Sequence, residues 1–161
     1  MKPGEVGYSI LKKKPGGLFV EIQEDASTTG WLEVFDWTGY CIGVDNGDRV
    51  RSLSIRKALL AVDYGPICNG WCTDYLRISG DAVEVIKQIY LTAPDSQFRL
   101  IAIEGGTEAV KPILESKGFE LLCPTESVDW WVFPAFVDSE VCKRIRGLRN
   151  EHQIIEALNH D

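Results

Sequence analysis

The amino-acid sequence predicts a single α/β (α+β) domain over residues 1–161, with a mixed, largely antiparallel sheet, N-terminal strands, flanking helices and a C-terminal amphipathic helix. Three observations lead to this prediction. The length of 161 residues and the apolar fraction of 45% suit one domain with an ordinary core. Residues 1–50 alternate apolar and polar positions between turn signals, which is typical of strands. From Ser52 onward, stretches with a period of 3.6 residues alternate with short apolar runs, which favours β-α-β units.

The first elements are predicted as strands. Residues 8–11 and 18–22 flank a Pro-Gly-Gly turn, which predicts a hairpin with the three lysines of residues 12–14 at its exposed tip. Residues 31–37 (WLEVFDW) alternate strictly and predict a further strand. Thr38 and Gly39 then predict a turn into a strand over residues 40–44, which the Asn-Gly pair after it would close.

The second part of the chain is predicted as alternating helices and strands. A helix stripe runs over residues 55–62, and a strand over residues 72–79 leads into a helix that Asp81 caps and Pro94 stops. A strand over residues 98–103 precedes a helix that ends at Gly118 and whose regular part begins near Pro112. Two strands follow, at residues 119–123 and 130–136. The last helix is predicted as one continuous apolar stripe, made of Val141, Ile145, Leu148, His152, Ile155 and Leu158.

Charge and composition exclude some functions. The formal net charge of −7 repels phosphate backbones and anionic membranes, which makes nucleic acid an unfavourable partner and is compatible with a basic protein. We expect a cytoplasmic protein, because no stretch resembles a signal peptide or a membrane helix. The five cysteines are odd in number and scattered, which favours reduced packing residues over disulfides or a metal site. We predict no metal.

The tryptophans and the acidic pairs point to protein binding. Trp130 and Trp131 are adjacent in a predicted strand and must face opposite sides of the sheet, so we expect one of them to be poorly covered. Exposed tryptophans are frequent anchors of protein interfaces. Glu126 and Asp129 form the carboxylate pair nearest to them. The alternative is that all five tryptophans belong to the core and that the carboxylates lie in solvated turns.

One stretch resembles a known family. Residues 75–119 have the order strand, helix, strand, helix, and the Lys-Gly-Phe-Glu run at residues 117–120 opens another strand. This order is similar to the C-terminal half of GNAT-type acetyltransferases. The resemblance implies antiparallel strands before this region, a splayed sheet and an acetyl-coenzyme A cofactor. The family's pyrophosphate loop, Q/R-x-x-G-x-G/A, is missing here, since the corresponding residues 78–82 hold one glycine and an aspartate.

The sequence therefore leads to two hypotheses, and acidic side chains spread throughout the chain leave a third class open, a nucleic-acid mimic or a structural subunit. The first is a non-enzymatic protein-binding domain, an inhibitor or immunity-type protein acting on a basic partner, with no cofactor. Its binding residues would be Trp130, Trp131, Glu126 and Asp129. The alternative is a divergent GNAT-like acyltransferase that uses acetyl-coenzyme A. Under that alternative, the resemblance implies Glu104 as a base and a phosphate-binding segment made of Ser79, Gly80, Asp81 and Ala82.

Overall fold

The computed structural model describes residues 3–22, 36–42, 72–80, 82–92, 94–105 and 108–159. Within these residues, six strands form one sheet in the order β2-β1-β3-β4-β6-β5 when the strands are numbered along the chain. The strands are β1 (Leu18–Ile22), β2 (Thr38–Ile42), β3 (Cys72–Ser79), β4 (Gln97–Glu104), β5 (Glu120–Pro124) and β6 (Val128–Val132). The predicted α/β class with a mixed sheet and flanking helices is confirmed.

The pairing within the sheet differs from the expectation of a largely antiparallel one. β1 pairs in parallel with both β2 and β3, and β3 pairs in parallel with β4. β6 runs antiparallel to both β4 and β5. The N-terminal strands are therefore parallel, and they do not form the antiparallel set that the GNAT resemblance implied. Alternation within one strand carries no information on the direction of its neighbour, which is why the sequence missed this.

Five helices cover the two faces of the sheet in the described residues: α1 (Pro3–Ile10), α2 (Ala82–Thr92), α3 (Lys111–Ser116), α4 (Ser139–Ile145) and α5 (Glu151–Asn159). Ile86 of α2 and Leu114 of α3 belong to the core on one face. Val6 of α1, Ile145 of α4 and Ile154 of α5 belong to the core on the other face. Both faces of the sheet are thus buried, as parallel strands require.

The predicted N-terminal hairpin is wrong, because residues 3–10 form a helix. Val6 and Ile10 lie one helical turn apart and are both fully buried, and this period is not visible in the four-residue window that suggested a strand. Lys12 and Lys13 adopt left-handed backbone angles and end the helix in a turn. The predicted turn at residues 38–39 is also wrong, since both residues belong to β2.

The corner between α3 and β5 follows the prediction closely. Pro112 lies in the first turn of the helix, where its missing N–H costs nothing. Gly118 has φ +94° and donates to the carbonyl of Glu115, while Phe119 donates to that of Leu114. These two hydrogen bonds form the Schellman motif that the glycine predicted.

The predicted C-terminal helix is broken in two. Gly147 has φ +79°, and its N–H donates to the carbonyl of Leu122 at 2.8 Å, which tethers the break to β5. The Asn150 side chain then accepts from the N–H of Gln153 and caps α5. The break shifts the register of the stripe, so that Ile154 is buried and His152 is exposed. The strand predicted over residues 130–136 ends earlier than expected. β6 ends at Val132, and residues 134–136 form a 3₁₀ turn.

Some predictions lie outside the described residues. They include most of the strand over residues 31–37, the helix over residues 55–62, and Asp81.

Candidate functional site

The C-terminal ends of the parallel strands meet at one edge of the sheet, which we call the carboxyl edge. β1 and β3 are neighbours, and the strands that follow them, β2 and β4, lie on opposite sides of this pair. In open α/β sheets, such a point of divergence beyond the strand ends is the usual place for a ligand. The sheet topology therefore singles out this edge before any side chain is considered.

Three charged side chains from three neighbouring strands form an ion triad at the carboxyl edge. Glu21 of β1 is the register partner of Arg77 of β3. The Arg77 guanidinium donates to the Glu21 carboxylate at 3.1 Å, and its other terminal nitrogen donates to Glu104 at the end of β4. Alternation along the strands places the triad on the face that α1, α4 and α5 cover, because the neighbours Val20 and Ile78 belong to the opposite core.

The three charged side chains of the triad differ in how far they are buried. Glu21 is fully buried and Arg77 is 6% exposed, whereas the Glu104 side chain is 31% exposed. Burial by itself lowers the pKa of Arg77, but the hydrogen bond to Glu104 and the nearby negative charges reverse this effect and leave the pKa raised. Arg77 is therefore held as a cation. Two carboxylates share one guanidinium, so the triad carries a formal charge of −1, and Glu104 is its accessible member.

Tyr75 lies on the same face of β3, two residues before Arg77. Its ring stacks on Trp130 with a centroid separation of 6.2 Å and an interplanar angle of 20°. Burial raises the pKa of Tyr75 well above its ordinary value, and the charge of Glu21 raises it further. The hydroxyl is thus a neutral donor, and among the described residues it has no hydrogen-bond partner.

The residues predicted for phosphate binding lie at the same edge. Ser79 ends β3 and is the register partner of Glu104, so the structure brings these two predicted residues together. Gly80 follows with φ +103°, and Ala82 begins α2. Gly105 follows β4 with φ +78°, and a Cβ added at Gly80 or Gly105 would meet nothing within 4 Å. Among the described residues, no atom therefore lies close to the positions that a Cβ would take at Gly80 and Gly105.

Glu126 and Asp129 extend the carboxyl edge. In the β4–β6 register, Glu104 is paired with Val128 and Ile103 with Asp129, so the turn at residues 125–127 projects beyond the end of β4. Ser127 donates to the carboxylate of Glu151 at 2.8 Å, which fixes the start of α5 to this turn. Glu126 is exposed and Asp129 is half-buried. Glu126 thus lies beyond the end of β4, whereas Asp129, the register partner of Ile103, lies at the same edge but faces the opposite side of the sheet from Glu104.

A shallow pocket of about 260 Å³ opens beside this turn. Its lining combines hydroxyl, amide, carboxylate and cationic groups: Thr125, Glu126, Ser127, Arg149, Asn150, Glu151 and His152. Arg149 is exposed and is the basic side chain of this lining besides His152. Among the described residues at the surface of the carboxyl edge, carboxylates therefore outnumber the permanent cations.

The expectation that one of the adjacent tryptophans is poorly covered is wrong. Trp130 and Trp131 face opposite sides of the sheet, as predicted, but both are fully buried. They are core residues of a sheet covered on both faces, and neither presents surface to a partner in this structure. The binding role predicted for Glu126 and Asp129 does not depend on them.

The described thiols are structural. Burial raises the pKa of Cys123 to about 12, and its thiol donates to the carbonyl of Ile145. Burial also raises the pKa of Cys142. A neutral thiol is a poor nucleophile and a poor metal ligand. Within the residues that the structure describes, no group of three or more His, Cys, Asp or Glu side chains could hold a metal ion, and no helix is long and apolar enough to cross a membrane.

Sequence reasoning missed the Glu21–Arg77 pair. A signal was present, since LFVEI and CTDYLRIS each carry a charged residue among large apolar ones. In a strand with one solvent-exposed face, such a charged side chain lies on that face. Because both faces of this sheet are covered, Glu21 and Arg77 are instead buried, and each requires the opposite charge of the other.

In comparisons with known proteins, no family model matches the sequence, and no curated protein or solved structure is significantly similar to it.

Replacing Arg77 with methionine leaves the buried Glu21 carboxylate and Glu104 without the guanidinium between them. We expect the free energy of unfolding at pH 7, measured with urea, to fall by about 3–5 kcal/mol. Burial of the Glu21 carboxylate without a counter-charge favours its protonated form, so the loss grows as the pH rises from 5 to 7.

Arg99→Met is the matched control, because Arg99 is half-buried and contacts Asp74, which also binds Lys14. We expect it to cost about 1 kcal/mol or less. Equal losses in the two variants, or a loss at Arg77 that does not change with pH, would contradict a buried ion triad.

Proposed function

We propose that this chain is a non-enzymatic protein-binding domain, of the inhibitor or immunity type, that binds a basic partner at its carboxyl edge. The observation that carries the proposal is the grouping of carboxylates there. Glu104, Glu126 and Glu151 come from β4, the β5–β6 turn and α5, and the register and the Ser127 hydrogen bond bring them to one edge, where Asp129 of β6 adds a carboxylate on the opposite face of the sheet.

The negative net charge of the chain also supports a basic partner. The chain carries a formal charge of −7, and the buried triad places one of these net negative charges beneath the edge. A surface of this sign accelerates association with a basic partner and disfavours an acidic one. The pocket beside the turn at residues 125–127 offers acceptor oxygens at the right scale for a lysine or arginine side chain.

The rigidity of the edge is a second support. Thr125 is buried, and its hydroxyl donates to the carbonyl of Val128 at 2.5 Å and accepts from the N–H of the same residue. Glu151 also accepts from Ser127. A turn held by its own hydrogen bonds loses little conformational entropy when a partner binds, which favours affinity.

The test is affinity capture from the native source with three forms of the protein. The edge variant is Glu126→Gln with Asp129→Asn. Its matched control is Glu115→Gln with Glu140→Gln, at two exposed positions away from the carboxyl edge, so both variants have the same net charge. We expect the wild type and the control to bind one basic protein, and the edge variant to bind it at least about tenfold more weakly by calorimetry.

Capture of that protein by the edge variant with unchanged affinity would contradict the proposal. A partner that is acidic, or that both variants lose equally, would also contradict it, because then the carboxyl edge does not recognise the partner.

The alternative function, a divergent acyltransferase using acetyl-coenzyme A, is favoured by one specific observation. The strand, helix, strand, helix, strand order predicted for residues 75–120 is present as β3, α2, β4, α3 and β5. Ser79 and Glu104 are register partners at the end of this unit. In this proposal Glu104, whose side chain is partly exposed, removes a proton from the acceptor amine, and the segment from Ser79 to Ala82 lies beside the cofactor phosphates.

Thermal unfolding with and without acetyl-coenzyme A tests this alternative. At a ligand concentration a hundred times the dissociation constant, we expect stabilisation by about 2.7 kcal/mol and a rise in Tm of about 5–10 °C. S-Acetylcysteamine, which lacks the pyrophosphate, is the control and should give no shift. Absence of a shift with millimolar acetyl-coenzyme A would rule the acyltransferase out.

A further inference from the structure

A second pocket lies at the opposite edge of the sheet from the carboxyl edge. It has a volume of about 260 Å³ and is formed by the end of α2, the start of β4, the α3–β5 corner and the segment after β6. Its lining is rich in aromatic rings, namely Tyr90, Phe98, Phe119, Phe133 and Phe136. We call it the aromatic pocket.

The rings of the aromatic pocket support one another. Phe133 stacks on Phe136 with centroids 4.9 Å apart and meets Phe119 edge-on at 5.4 Å. The Gly118 corner allows this arrangement, since a Cβ there would lie 3.0 Å from the Phe133 ring. Such preformed aromatic walls bind flat apolar groups, and the modest volume suits one or two fused rings.

Two polar groups give the pocket directional chemistry. Ser96 lines it and is 6% exposed, and among the described residues its hydroxyl has no hydrogen-bond partner. A buried hydroxyl without a partner is unfavourable, so a ligand that supplies a polar atom there gains an interaction that water does not provide. Lys117 is exposed and holds its ammonium 4.7 Å from the centroid of the Tyr90 ring.

Charge complementarity selects the ligand. The ammonium of Lys117 is positioned against a wall of the pocket, where it can pair with an anion on a bound ring. Asp95, which is exposed in the turn after α2, also lines the pocket and carries the opposite charge. We propose that the aromatic pocket binds a small flat aromatic carboxylate, with its carboxylate at Lys117 and a polar ring atom at the Ser96 hydroxyl, which turns from its buried position towards the pocket to meet it.

Three probes of similar shape separate these contributions in calorimetric titrations. Indole-3-acetate has the carboxylate and a ring N–H, 1-naphthaleneacetate has the carboxylate without the N–H, and tryptamine replaces the carboxylate with an ammonium. We expect indole-3-acetate to bind best. Naphthaleneacetate should bind about three- to tenfold more weakly, which is the effect of one hydrogen bond, and tryptamine at least about tenfold more weakly.

Two variants test the assigned partners. Ser96→Ala should remove the preference for indole over naphthalene, because it removes the hydroxyl that the ring N–H would meet. Lys117→Met should weaken both carboxylates and leave tryptamine unaffected. Lys143→Met, at an exposed lysine paired with Glu140 in α4, is the matched control and should change nothing.

The proposal is supported if the three probes bind in the stated order, if Ser96→Ala removes the preference for indole, and if Lys117→Met weakens the binding of both carboxylates. Failure of all three probes to bind at millimolar concentration would overturn it. Tryptamine binding as tightly as indole-3-acetate would overturn it too, because Asp95 and not Lys117 would then set the preference. Retention of the indole preference in Ser96→Ala would remove the role of the hydroxyl.

Discussion

The ion triad of Glu21, Arg77 and Glu104 constrains the rest of the structure. It joins three neighbouring parallel strands inside a mostly apolar layer, and each buried charge is tolerable only while its counter-charge stays in place. A one-residue slip of β1 against β3 would move Glu21 to the other face and leave Arg77 facing apolar side chains. The triad therefore favours one register at the carboxyl edge, where the ends of β3 and β4 lie.

The same constraint links the fold to the proposed binding function. Because Arg77 is buried and engaged by two carboxylates, it does not neutralise the surface above it, and Glu104 remains the accessible end of a negative group. The β5–β6 turn adds the carboxylate of Glu126 and holds that of Glu151 in place through the hydrogen bond from Ser127. The aromatic pocket lies at the other edge of the sheet, so the two proposed sites can be altered independently.

The sequence predicted those features that depend on local chemistry. The strand over residues 72–79, the helix that Pro94 stops, and the Gly118 corner were all correct, because period, capping and glycine conformation are encoded within a few residues. The parallel direction of β1 and the break at Gly147 were not predicted, and the burial of Trp130 and Trp131 was considered only as the alternative. Each of these depends on a distant partner, such as the carbonyl of Leu122 that holds Gly147. The candidate site follows this division, since Glu104 and Glu126 were identified singly but their shared edge required the register of β4 and β6.

The most direct test of this account is a double-mutant cycle between Glu21 and Arg77, built from Glu21→Gln, Arg77→Met and the double variant. Unfolding free energies measured with urea at pH 7 give the coupling between the two side chains. We predict a coupling of about 2–3 kcal/mol, so that the double variant is much less destabilised than the sum of the single variants. A coupling below about 0.5 kcal/mol would show that the two charges do not depend on each other, and would contradict the account.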